Sequence, residues 1–118
     1  MNDSILNDIK KMLGLDGDYT PFDTDIIIGI NSAIATLNQA GIGSPTFMIT
    51  SADETWGDFL SGVENGNVIS VLSIAKLYIY YKTKLVFDPP NNGSVTNAYE
   101  QQAEELLWRA NFNSEYAT

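Results

Sequence analysis

The stretch from residue 68 to residue 87 restricts the possible folds more than any other part of the chain. It lies between two turn signals, Asn65-Gly66-Asn67 and Asp88-Pro89-Pro90, and reads VISVLSIAKLYIYYKTKLVF. A strand of this length would far exceed the usual ~5–6 residues, whereas a helix of ~20 residues is ordinary. The sequence therefore predicts one long helix over residues 68–87.

Polar residues occupy only a narrow side of this predicted helix. They recur at spacings of three and four and are Ser70, Ser73, Lys76, Tyr80, Thr83 and Lys84. The rest of the circumference is apolar, which is typical of a helix enclosed by its neighbours. A membrane span of ~20 residues is the alternative. Lys76, Lys82 and Lys84 argue against it, because each costs ~2.5–3.5 kcal/mol near the bilayer centre. The pattern favours the buried helix of a soluble protein.

Two prolines end the long helix and direct the chain that follows. Pro89 disfavours the helical conformation at Asp88, and Pro90 does the same at Pro89. Neither proline has a backbone N–H to donate. The chain is therefore expected to leave the helix stiff and extended. Phe87, Asp88, Pro89 and Pro90 are interpreted as a structural motif that sets where the last helix goes.

Capping signals predict the first two helices of the chain. Asp3 or Ser4 can cap the first helix, and Gly14 suits the left-handed position that ends it. Asp23 can cap the second helix, which Gly41 ends in the same way.

Two more helices complete the prediction. Ser51 and Glu54 have the spacing of a capping box, which predicts a short helix through Trp56. Trp56 is interpreted as a core anchor in preference to a ligand platform. A last helix is predicted over about 96–112, from where it can project to partners. The expected fold is all-α, a small bundle of about four to five helices around one long buried helix, in a single domain over residues 1–118.

The charged composition excludes several functions. The formal net charge is −9, from 15 acidic and 6 basic residues, and the chain has no Cys and no His. Lys and Arg attract phosphates, so their scarcity argues against a protein that wraps nucleic acid. Thiol chemistry, the usual general base and the commonest metal ligand are also excluded. The acidity has two interpretations, which are solubility and a surface that must not bind a polyanion.

The sequence contains no pattern that indicates catalysis, a metal or a cofactor. Asp16 and Asp18 are similar to the start of a calcium loop, but its later glycine and glutamate are missing, so a plain turn is favoured. The spacing of the carboxylates pairs no general acid with a base. Residues 1–11 are polar and amphipathic, unlike a signal peptide, so the protein is expected to stay where it is made. These observations favour an interaction protein over an enzyme.

Two aromatic residues lie on the unexpected side of the last predicted helix. Its apolar side is made by Ala98, Tyr99, Ala103, Leu106, Leu107 and Ala110. At about 100° per residue, Trp108 and Phe112 fall on the opposite side, among polar neighbours. This face either packs on the chain's own loops or meets another protein. We favour a partner or oligomer interface formed by Trp108, Arg109 and Phe112.

The second half of the chain resembles the head–tail connector family of tailed phages, whose members are head-completion or adaptor proteins. The resemblance lies in KLYIYYKTKLVFDPPNNGSVTNAYEQQAEELLWRANF and in the earlier segment ITSADETWGDFLSG. The residues that carry it are Phe87, Asp88, Pro89 and Pro90 after the long helix, Trp108 and Arg109 in the last helix, and Trp56 and Phe59 in the middle segment.

This resemblance implies a small, non-enzymatic virion protein that assembles in the host cytoplasm. Such a subunit forms a homo-oligomeric ring beneath the capsid portal and receives the next connector or tail protein. DNA passes through the lumen without specific binding. Carboxylates that line the lumen would repel the phosphates, so that the DNA can slide. An acidic DNA-mimic inhibitor of a host nuclease is the alternative function, although the acids are scattered along the chain. An enzyme subunit without its own active site is a third possibility.

Overall fold

The computed structural model describes residues 3–61, 68–87 and 91–116, and the side chains within these ranges except those of residues 68–70 and 110–116. Within these ranges the chain forms five α-helices and no strand, apart from an isolated bridge between Ser4 and Thr55. The helices are α1 (Ile5–Met12), α2 (Asp23–Gln39), α3 (Trp56–Phe59), α4 (Val68–Phe87) and α5 (Gly93–Tyr116). The predicted all-α class and the long helix over residues 68–87 are confirmed.

Glycine ends α1 and α2, as the sequence predicts. Gly14 and Gly41 have φ angles of 85° and 84°, in the left-handed region that favours glycine. After Gly14, the Leu15 N–H donates to the Lys10 carbonyl at 2.8 Å. After Gly41, the Ile42 N–H donates to the Leu37 carbonyl at 2.9 Å. These bonds satisfy carbonyls that the ends of the helices would otherwise leave unpaired.

The start of α2 differs from the prediction because Asp23 has another partner. Phe22 is the N-cap residue, without a side-chain capping bond, and Asp23 is the first residue of the helix. The Asp23 carboxylate lies 2.8 Å from the ammonium of Lys10, a residue with none of its surface exposed. Lys10 also donates to the Gly17 carbonyl at 2.9 Å. A buried charge needs such partners, so the pair joins α1 to α2.

The short helix begins later than predicted. Glu54 accepts hydrogen bonds from the backbone N–H groups of Thr50 and Ser51, and these bonds hold a turn. Burial raises the pKa of Glu54, but these bonds and the Thr50 hydroxyl outweigh it, so the pKa lies below its usual value. The helix itself begins at Trp56, and its capping box is Thr55 with Asp58. Ser51 and Glu54 have the spacing of a capping box, but the capping box that starts α3 is formed by Thr55 and Asp58, one turn later.

The long helix α4 packs against α2 at a close crossing. A Cβ atom placed on Gly29 of α2 would lie only 3.2 Å from Cγ2 of Thr83. Thr83 is fully buried there, although by spacing it belongs to the narrow polar side of the helix. Conversely, Leu77 and Val86 are 41% and 69% exposed. The helix is therefore buried on the sides that face α2 and α5, and among its described side chains Leu77 and Val86 are exposed apolar residues.

A side chain of α2 also holds the loop that follows that helix. The Asn31 amide donates to the Ile49 carbonyl at 2.9 Å, and its oxygen accepts from the Ile49 N–H at 2.8 Å. Both backbone groups of a buried residue are thereby satisfied. This pair of hydrogen bonds positions the loop between α2 and α3.

Candidate interaction surfaces

The last helix lies antiparallel along α4. Tyr99 of α5 packs against Tyr81 of α4 with ring centroids 5.2 Å apart, and Ala103 and Leu106 are buried. Burial raises the pKa of the Tyr78 phenol on α4, and a hydrogen bond with the Thr36 hydroxyl offsets part of that rise. The nearby carboxylate of Glu104 on α5 raises this pKa further. Later residues of α5 thus lie beside earlier residues of α4.

The opposite side of α5 carries Trp108, as the helical periodicity of the sequence predicts. Trp108 is 66% exposed. The neighbouring Arg109 is also exposed, and its Nη2 donates to Glu105 Oε1 at 2.6 Å, one helical turn earlier. The side chain of Phe112 lies outside the described residues. We call Trp108 and Arg109 the α5 knob.

A second apolar surface lies where the start of α2 meets the end of α4. A groove with a volume of about 300 Å³ is lined by Phe22, Asp25, Ile28, Val86 and Phe87. Phe22 packs edge-on against Phe87 with centroids 5.4 Å apart. Ile28 and Phe22 are 61% and 41% exposed. We call these five residues the α2–α4 groove.

This groove was not predicted from the sequence, although one of its lining residues, Phe87, belongs to the predicted motif that ends α4. The remaining motif residues, Asp88, Pro89 and Pro90, lie outside the described residues. The sequence did contain one signal of an exposed apolar side chain on α2. Three consecutive isoleucines, Ile26 to Ile28, cannot all face the core from a helix that turns about 100° per residue. Ile26 is buried and Ile28 is exposed.

Trp56 lies in the core and not at a surface. None of its surface is exposed, and its Nε1 donates to Asp8 Oδ2 at 2.7 Å. The ammonium of Lys76 lies 5.1 Å from the centre of the indole and 3.7 Å from Asp8 Oδ2. Phe59 packs against the indole edge-on. Trp56 therefore joins α1, α3 and α4.

Within the parts of the chain that the structure describes, no group of three or more acidic residues is placed to hold a metal ion. The turn around Asp16 and Asp18 instead presents the Gly17 carbonyl to Lys10. None of the described helices combines the length and the apolar character needed to cross a membrane.

The fold and its surfaces define a small all-helical protein, and its described residues expose aromatic side chains at the α5 knob and the α2–α4 groove. A family model of phage connector proteins matches residues 5–117. The chain therefore belongs to the phage connector protein family, as the resemblance predicted. Comparison with the curated proteins and with the solved structures gives no match.

Membership of the family defines the class of protein. Phage connectors are structural and non-enzymatic, so the chain is a structural phage protein. The family implies a location at the head–tail junction of the virion and contacts with head and tail components.

Proposed function

We propose that this chain forms a homo-oligomeric ring that joins the capsid portal to the tail or to the next connector. The family match over residues 5–117 carries the proposal. The whole chain acts as one connector domain, and it assembles in the host cytoplasm before it enters the virion. Its partners are other copies of itself, the portal protein and the next protein toward the tail.

The α5 knob supports an interface role for the last helix. Large aromatic residues and Arg dominate the energetics of protein interfaces, and Trp108 and Arg109 are adjacent and exposed. In the sequence, Phe112 follows Trp108 by one helical turn. We propose that these three residues contact a neighbouring subunit or the portal.

The acidity supports passage of DNA through the ring. The chain carries 15 acidic and 6 basic residues. Carboxylates at the lumen would repel the phosphate backbone. DNA can then slide through the ring without specific binding.

Sedimentation with capsids tests this function. Purified chain is mixed with tail-free capsids of its own phage that carry the portal, and with matched capsids that lack it. We expect several copies to sediment per portal-bearing capsid and almost none with the control capsids. Equal binding to both kinds of capsid, or binding to neither, would contradict the proposed function.

A further inference from the structure

The α5 knob and the α2–α4 groove lie toward opposite ends of the long helix. The Tyr81–Tyr99 contact sets the register of the two antiparallel helices. From this contact, Trp108 lies further along α5 toward the start of α4, whereas Val86 lies toward the end of α4. At ~1.5 Å per residue the two are roughly 20 Å apart along the helix axis. A subunit therefore cannot place its own knob in its own groove.

The two surfaces are chemically complementary. The groove offers four apolar side chains and one carboxylate, that of the exposed Asp25. The knob offers an indole beside a guanidinium, which has five N–H donors in all. Two chains with a net charge of −9 repel each other, so a contact that pairs one of the few cations with a carboxylate is favoured.

We infer that the α2–α4 groove of one copy receives Trp108 of a second copy, with Arg109 of that copy facing Asp25. This inference rests on the proposed self-assembly and names the two surfaces that form it. A knob and a groove at different places on one chain make a head-to-tail contact, so every pair still exposes one knob and one groove for further copies. Such contacts close into a ring when the rotation between neighbours permits.

A complementation experiment tests the pairing. Ile28→Lys places a cation in the groove and leaves the knob intact, whereas Trp108→Ala removes the knob and leaves the groove intact. Both positions are more than half exposed, so each variant should keep its fold. We expect each variant alone to give the mass of the 13.0 kDa chain in native mass spectrometry. An equimolar mixture should give a heterodimer of twice that mass.

The heterodimer forms because the intact knob of the Ile28→Lys chain meets the intact groove of the Trp108→Ala chain. It stops at two subunits because the remaining knob and groove are both damaged. Met12→Lys is the matched control: it adds the same charge at an apolar position that is 37% exposed and belongs to neither surface. This variant should assemble like the wild type.

Other outcomes separate this inference from the proposed function. If the wild type assembles and Ile28→Lys assembles equally well, the groove is not the receiving surface, and the inference fails while the ring stands. Homodimers of either single variant would indicate a two-fold contact and would also overturn it. If the wild type stays monomeric at high concentration and with the portal, the proposed ring fails and the inference fails with it.

Discussion

Replacing Trp56 with alanine is expected to lower the free energy of unfolding by about 3–5 kcal/mol, the usual cost of removing a large buried aromatic side chain. The indole is fully buried and contacts Phe59, and its N–H donates to Asp8. The substitution leaves a cavity and deprives the Asp8 carboxylate of a donor. Because small domains have about 5–15 kcal/mol of stability in total, the variant should be close to unfolding.

Urea unfolding followed by circular dichroism measures this effect. Trp56→Phe is the matched control, because it keeps most of the apolar volume and loses the hydrogen bond to Asp8. Its cost should be clearly smaller than that of the alanine variant. An alanine variant as stable as the wild type would show that Trp56 is not the side chain that joins α1, α3 and α4.

The same substitution at Trp108 is expected to give the opposite result. The side chain is 66% exposed, so its removal should change the stability of the monomer by less than about 0.5 kcal/mol. At an interface, truncation of an aromatic hot spot typically costs ~2–4 kcal/mol of binding energy. Self-association should therefore weaken by roughly 30-fold to 1,000-fold.

Two measurements on the Trp108→Ala variant separate an interface residue from a core residue. The thermal midpoint of the monomer should be nearly unchanged, and analytical ultracentrifugation should detect weaker association. A large fall in the midpoint, with normal association of the folded chain, would place Trp108 in the core. The two tryptophans of this chain thus provide matched variants with opposite expected results.

Local signals in the sequence predict much of the fold. The length and apolar character of residues 68–87 are sufficient to predict α4, and Gly14 and Gly41 end two helices because their positive φ angles favour glycine. The errors arise where tertiary contacts decide the structure. Thr83 lies on the polar side of its helix by spacing, but it is buried against Gly29, which has no side chain to keep α2 at a distance.

The candidate surfaces could be predicted only in part for the same reason. The direction of Trp108 depends on the geometry of a single helix, so a turn of about 100° per residue predicts it. The α2–α4 groove needs the ends of two helices, which are more than fifty residues apart in the chain, to meet at Phe22 and Phe87. No local pattern contains that information. The buried pair of Lys10 and Asp23 was missed because it also depends on how two helices pack.

Native mass spectrometry of the wild-type chain over a range of concentrations tests the central claim of a head-to-tail ring most directly. At high concentration we expect one dominant assembly with a fixed whole-number multiple of the 13.0 kDa mass and more than two subunits. A closed ring has this property because it leaves no free surface for further growth. A monomer at every concentration that also stays monomeric with the portal, a two-fold dimer, or an open-ended ladder of masses would contradict the claim.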